Sequence, residues 1–130
     1  MIPKIMHMWH EIVEKKNIAL LDEILAEDVE MHSPIVHTVQ KGKEVTKKYL
    51  MGAAAVLCND TFKYTRTVYT DNFALLEFIT ELNGVLVNGV DMISWNTENK
   101  ITDFKVMIRP IKAVNEVHSE MGKMLIKLNS

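Results

Sequence analysis

Cysteine occurs once in the 130 residues, at Cys58, so no disulfide can form within the chain. The core alone must hold the fold, and a reducing compartment, the cytoplasm, is the expected location. Glycine (5) and proline (3) are scarce, which excludes a low-complexity or linker-rich chain. Neither sign of charge dominates, because 15 Lys and Arg stand against 17 Asp and Glu for a net charge of -2. Without a broad positive field, phosphate-backbone attraction cannot drive binding, and nucleic acid is not expected as a partner. No apolar run is long enough to span a bilayer, and Lys4, His7 and His10 interrupt the stretch that a signal core would need. Membrane insertion and export are therefore not expected. Phosphate-cradling glycine loops, dinucleotide fingerprints and nucleophile elbows are also missing, and no cofactor is expected.

What is there is the composition of one ordinary globular domain, 48% hydrophobic and 25% charged, expected to span residues 1–130. Ile5, Met8, Trp9, Ile12 and Val13 recur at helical spacing with His7, Glu11, Glu14 and Lys15 opposite, which predicts an amphipathic first helix. Asn17 is placed to cap a short second helix whose stripe is Leu20, Leu21, Ile24 and Leu25. Val29 to Ser33 reads as a strand stopped by Pro34, and Gly42 marks a turn. Val45, Tyr49, Ala53, Val56 and Leu57 predict a third helix from Lys43 to about Leu57.

The period then changes to two, over 62–70, 73–82, 85–96 and 101–109, which predicts four strands of an antiparallel meander. Asn83-Gly84 predicts a tight hairpin, since both central residues of such a turn need positive φ. Gly89 is read as a bulge. Pro110 ends the last strand and opens a final helix striped by Val114, Val117, Met121, Leu125 and Leu128. These elements bury their apolar faces together only if the sheet curls around the helices. The expectation is an α+β cone: a curved antiparallel sheet, N-terminal helices packed in its concave face, a C-terminal helix, and an apolar pocket for a small organic ligand.

This order of elements, with VEMHSP at Val29–Pro34, GVDMISWNTENKI at Gly89–Ile101 and VMIRP at Val106–Pro110, resembles the nuclear transport factor 2-like superfamily. The likeness is to its SnoaL-like and ketosteroid isomerase-like branch, over nearly the whole chain. It implies a cystatin-like roll and face-to-face sheet packing between two copies. It does not imply one reaction, because the superfamily hosts isomerases, cyclases, epoxide hydrolases, dehydratases and non-catalytic modules. Ketosteroid isomerase uses a tyrosine and a protonated aspartic acid as oxyanion donors and a second aspartate as proton shuttle. An ungapped comparison puts that tyrosine on Trp9, the shuttle aspartate on Ser33 and the oxyanion-site aspartic acid on Asp91. Only the last is kept. Trp9 has no hydroxyl, and Ser33 is no base near neutrality without a neighbour to activate it, so steroid isomerisation of that type is not expected.

Asp91 shares its strand face with Ile93 and Trp95, the face that the resemblance turns toward the pocket. A carboxyl group there loses hydration, which favours its neutral form and leaves it able to donate a hydrogen bond or exchange a proton near neutrality. The alternative is that Asp91 only accepts hydrogen bonds and orders the fold. His32 is the second catalytic candidate, as a neutral imidazole taking a proton. Strict alternation turns it away from the pocket if Ser33 faces inward, unless Pro34 bends the strand. Trp9, Ser33, Tyr49, Tyr64, Phe78, Ile93 and Trp95 are the expected ligand-binding residues, with plain core packing as the competing reading of the aromatics.

Leu75, Ile79, Met92 and Met107 fall on the opposite sheet face with Glu77 and Arg109, and so apolar an outer face predicts a homodimer. Arg109 is alternatively an anion-binding group at the pocket mouth. His7 and His10, with Glu11, mimic metal-ligand spacing, but no further cluster completes a zinc-like set, so a solvated helix surface and no metal are expected. The expected partner is a small hydrophobic molecule. Three functions stay open: a cofactor-independent isomerase, cyclase or hydrolase working through Asp91 and His32, a non-catalytic binding domain, or a dimerisation module with a filled core.

Overall fold

A computed structural model describes residues 1–128. Helix α1 (Lys4–Lys15) lays Ile5, Met6, Trp9 and Ile12 into the core, and Lys16, in the left-handed region, ends it. Where one short capped helix is expected, a 3-10 turn (Ile18–Leu20) runs into a single α turn, α2 (Leu21–Ile24), and the Asn17 side chain makes no cap hydrogen bond. Leu25 then opens strand β1 (Leu25–His32), four residues before the expected start at Val29. Its pairing with Ile101 draws it out of the helical stripe, a case of tertiary contact overriding local propensity. The chain continues through β2 (Gln40–Lys41), α3 (Lys43–Leu57), β3 (Lys63–Tyr69), β4 (Phe73–Leu82), β5 (Val85–Trp95), β6 (Ile101–Arg109) and α4 (Ile111–Leu128). No described helix is long and apolar enough to cross a membrane.

The strands form one curved, unclosed sheet in the order β2-β1-β6-β5-β4-β3. Strands β3 to β6 are the antiparallel meander that the period-two pattern predicts, and Asn83 (φ 51) and Gly84 (φ 80) make the expected hairpin turn. Strand β1, by contrast, pairs with β6 in parallel, so the sheet is mixed rather than wholly antiparallel. A parallel neighbour needs a long crossover, which α3 and the meander supply.

Gly89 is not a bulge. The ladders run unbroken past it, with Phe78 opposite on one side and Ile108 on the other. A Cβ at this position would stand 2.5 Å from Phe78 Cζ and 2.7 Å from the Met107 carbonyl oxygen, so the glycine makes room for a phenylalanine ring lying over the strand. We expect Gly89→Ala to cost about 1–3 kcal/mol through overpacking. A lowered urea midpoint at unchanged m-value would register it, and an unmoved midpoint would contradict it.

Alternation along β4 and β5 turns Ala74, Leu76, Phe78, Val87, Asp91, Ile93 and Trp95 to the concave face. Helix α1 lies there, with the Trp9 ring edge-on to Phe104 at 5.0 Å, and α4 adds Ala113, Val117 and Met121. The opposite face carries Leu75, Glu77, Ile79 and Met92, as expected, together with Val90, and Met107 is exposed beside them.

Candidate functional site

On the concave face, the cross-strand neighbours of Asp91 are Leu76 and Val106, so its carboxyl group enters an apolar layer. What reaches it comes from β3, where a register shift between Tyr64 and Arg66 breaks the simple alternation. The Tyr64 hydroxyl donates to Asp91 Oδ2 at 2.7 Å, and the Trp9 indole N–H donates to the Tyr64 oxygen at 3.0 Å. Asp91 Oδ1 takes no hydrogen bond from the described residues. Loss of hydration pushes the Asp91 carboxyl up from its ordinary 3.8 to about 7, the Tyr64 hydrogen bond opposing the rise. Burial, the Asp91 charge and the same hydrogen bond hold the Tyr64 phenol well above its usual range. Tyr64 is therefore a donor throughout the physiological range, and Asp91 is the group that can change state.

Asp91 opens on an apolar cavity of about 40 Å³ walled by Trp9, Tyr49, Tyr64, Phe78, Phe104 and Val106. Ala53 and Ala54 of α3 leave that space because they have only methyl side chains. A water needs roughly 10–15 Å³ of such space, so the cavity as it stands has room for no more than a few waters. Drug-sized ligands occupy roughly 300–1,000 Å³, and such a ligand requires the walls to move apart. A polar groove of about 890 Å³ between α1 and the start of β3 shares Val13, Cys58, Phe62 and Tyr64 with the cavity. Phe62, stacked on Phe78 at 5.2 Å and edge-on to Tyr64 at 5.1 Å, stands between the two spaces.

Trp9, Tyr49, Tyr64, Phe78 and Asp91 are brought together as expected, while the other expected residues lie elsewhere. Ile93 and Trp95 share the face of Asp91 but are absent from the cavity wall; Trp95 instead donates its indole N–H to the Asp71 carbonyl at 2.9 Å. The Ser33 hydroxyl accepts the amides of Ile35 and Val36, at 3.0 and 3.4 Å, and so orders its own turn. It also hydrogen-bonds Tyr49, whose phenol is raised chiefly by burial. Alternation wins at His32: Val29 and Met31 are buried, and His32 faces the other way, its Nε2 at 2.8 Å from Asp103 Oδ1. Arg109 lies on the outer face against Asn88 and is not at the mouth of the cavity.

Residues that the reading of the sequence missed include Phe62, whose place at the head of a strand hid its role as a partition, and Cys58, whose thiol burial pushes up to about 12. A thiol so raised stays protonated and unreactive. His10 is no solvated surface residue either. It is half-buried, with Nε2 at 2.8 Å from the Tyr69 hydroxyl and its ring edge-on to Tyr64, and loss of hydration lowers its pKa.

No family model matches this chain, and no curated protein does. Solved structures do. A steroid delta-isomerase from Pseudomonas aeruginosa superposes with a TM-score of 0.90 at 27% identity, over 95% of this chain and 90% of that one. A protein with a cystatin-like fold from Silicibacter pomeroyi gives 0.84 at 28% identity, over 92% and 84%. An NTF2-like protein of unknown function from Mesorhizobium loti gives 0.71 at 15% identity, over 82% and 89%. These neighbours support the resemblance to the nuclear transport factor 2-like superfamily and show that the chain has its fold. Members of such a superfamily share a scaffold and differ in the side chains of the hollow. In this chain, Asp91 is the one carboxyl group among the described lining residues, and no histidine or lysine joins it there.

Proposed function

We propose that this protein binds a small hydrophobic molecule carrying one polar oxygen and transforms it by acid-base chemistry at Asp91, without a cofactor, in the cytoplasm. The observation that carries the reading is a buried carboxyl group, held by Tyr64 through Oδ2 and unpartnered at Oδ1, at the wall of an apolar cavity. In its acid form Asp91 donates a proton to a carbonyl or epoxide oxygen held at Oδ1. The carboxylate left behind is stabilised by the Tyr64 hydroxyl and takes a proton back from substrate carbon or from water. Isomerase, cyclase and hydrolase outcomes all follow from that exchange. His32 and Ser33 have no part in it.

The small cavity favours a second reading, a filled-core module that binds nothing. A panel of small cyclic ketones and epoxides, followed through tryptophan fluorescence in a Trp95→Phe background that leaves Trp9 as the one emitter, separates the two. Saturable binding is expected, with turnover of at least one compound; no binding by any member leaves the filled-core reading. Ala53→Leu should abolish the binding at a stability cost of about 1–3 kcal/mol, since it fills the space that the alanine leaves.

Leu75, Ile79, Val90 and Met92, with exposed Val68 and Met107, form an apolar outer face of the kind that monomers seldom leave bare. Our reading pairs this face with its copy in a homodimer. Sedimentation at twice the 14.9 kDa chain mass is expected, and Met107→Lys should return the monomer. A wild-type protein sedimenting as a monomer would contradict it.

A further inference from the structure

Alternation along β1 turns Glu30 and His32 to the outer face, and the parallel register sets Glu30 opposite Asp103 on β6. One donor atom from each of the three side chains lies within 4.8 Å of the other two. His32 Nε2 and Asp103 Oδ1 already stand 2.8 Å apart. Glu30 has no hydrogen-bond or ion-pair partner among the described residues. Lys41 and Lys105 are the register partners of Glu30 and His32, yet neither ion-pairs with these carboxylates. Two carboxylates this close with no cation between them leave a concentrated negative charge.

We propose that Glu30, His32 and Asp103 bind a first-row divalent metal ion, zinc fitting best. One imidazole nitrogen and two carboxylate oxygens are a donor set that zinc accepts, with water completing the shell. Around a tetrahedral ion with bonds of about 2.1 Å, ligand atoms sit about 3.4 Å apart. No separation here exceeds 4.8 Å, so any that must shorten does so by at most about 1.4 Å, a side-chain rotation for partly exposed groups. The His32–Asp103 pair opens from 2.8 Å as the ion replaces the proton between them. Bound metal would tie β1 to β6, the one parallel pair among the described strands. The site lies across the sheet from Asp91 and does not depend on the chemistry proposed there.

Zinc chloride titrated into the metal-free full chain, by calorimetry and by thermal melting, tests the site. One zinc per chain in the micromolar range is expected, with a raised melting temperature. His32→Ala and Asp103→Asn should each weaken binding at least ~10-fold and remove the melting shift. His7→Ala, which breaks the His7–His10 pair on α1, should change nothing. Calcium chloride should give no heat, because calcium prefers a larger all-oxygen shell. The proposal is overturned if zinc does not bind, if both His32→Ala and Asp103→Asn bind it undiminished, if His7→Ala abolishes binding, or if calcium binds as well as zinc.

Discussion

Asp91→Asn should become more stable relative to the parent protein by about 4 kcal/mol as pH rises from below 3.8 to above 7. The sign follows from proton binding. Below 3.8 both the folded and the unfolded chain hold the Asp91 proton, and the parent suffers no penalty. Between 3.8 and about 7 the unfolded chain releases it while the folded chain retains it, so the parent loses stability as pH rises. Above about 7 both states are ionised, and the loss levels off. Asparagine does not titrate and still accepts the Tyr64 hydroxyl through its amide oxygen. The buried amide N–H2 carries a cost of its own, but one independent of pH, so the change in the difference isolates the carboxyl group. Urea curves for both proteins across that interval measure it, and a flat difference would mean that Asp91 is hydrated in the fold.

The second large effect is on turnover. Once the panel supplies a compound that is converted, Asp91→Asn should lower its kcat by about 10²–10⁴, the usual contribution of a positioned acid or base, with affinity changed by less than about tenfold. A binding domain would show altered affinity and no rate to lose. If the slow step uses the acid form, the rate falls as pH rises through about 7; if it uses the carboxylate, it falls below that value. Tyr64→Phe tests the array from the other end. It removes the hydrogen bond that holds the Asp91 pKa down, so the rate profile should move to higher pH. It also leaves the Trp9 indole N–H unpaired, at a stability cost of about 1–3 kcal/mol. A profile that stays put would mean that Tyr64 is only packing.

Much of this was legible in the residues. Period-two segments and Asn83-Gly84 mark the meander, and alternation alone turns Asp91 inward. Alternation states a face, though, and not a depth along the strand, so Ile93 and Trp95 read the same as Asp91 while lying outside the cavity wall. Leu25 suits a helix stripe and a strand equally, and only its pairing with Ile101 decides between them. Gly89 looks like a bulge until Phe78 is placed over it. The space left by Ala53 and Ala54 is an absence of atoms, which no periodicity marks. His32 and Asp103 are 71 residues apart, and their meeting follows from a parallel register that local patterns do not encode.

Carbon-13 NMR titration of the Asp91 side-chain carboxyl reads the central quantity without needing a substrate. A midpoint near 7 is the predicted result; a midpoint near the ordinary 3.8 would show a hydrated carboxylate and contradict the account.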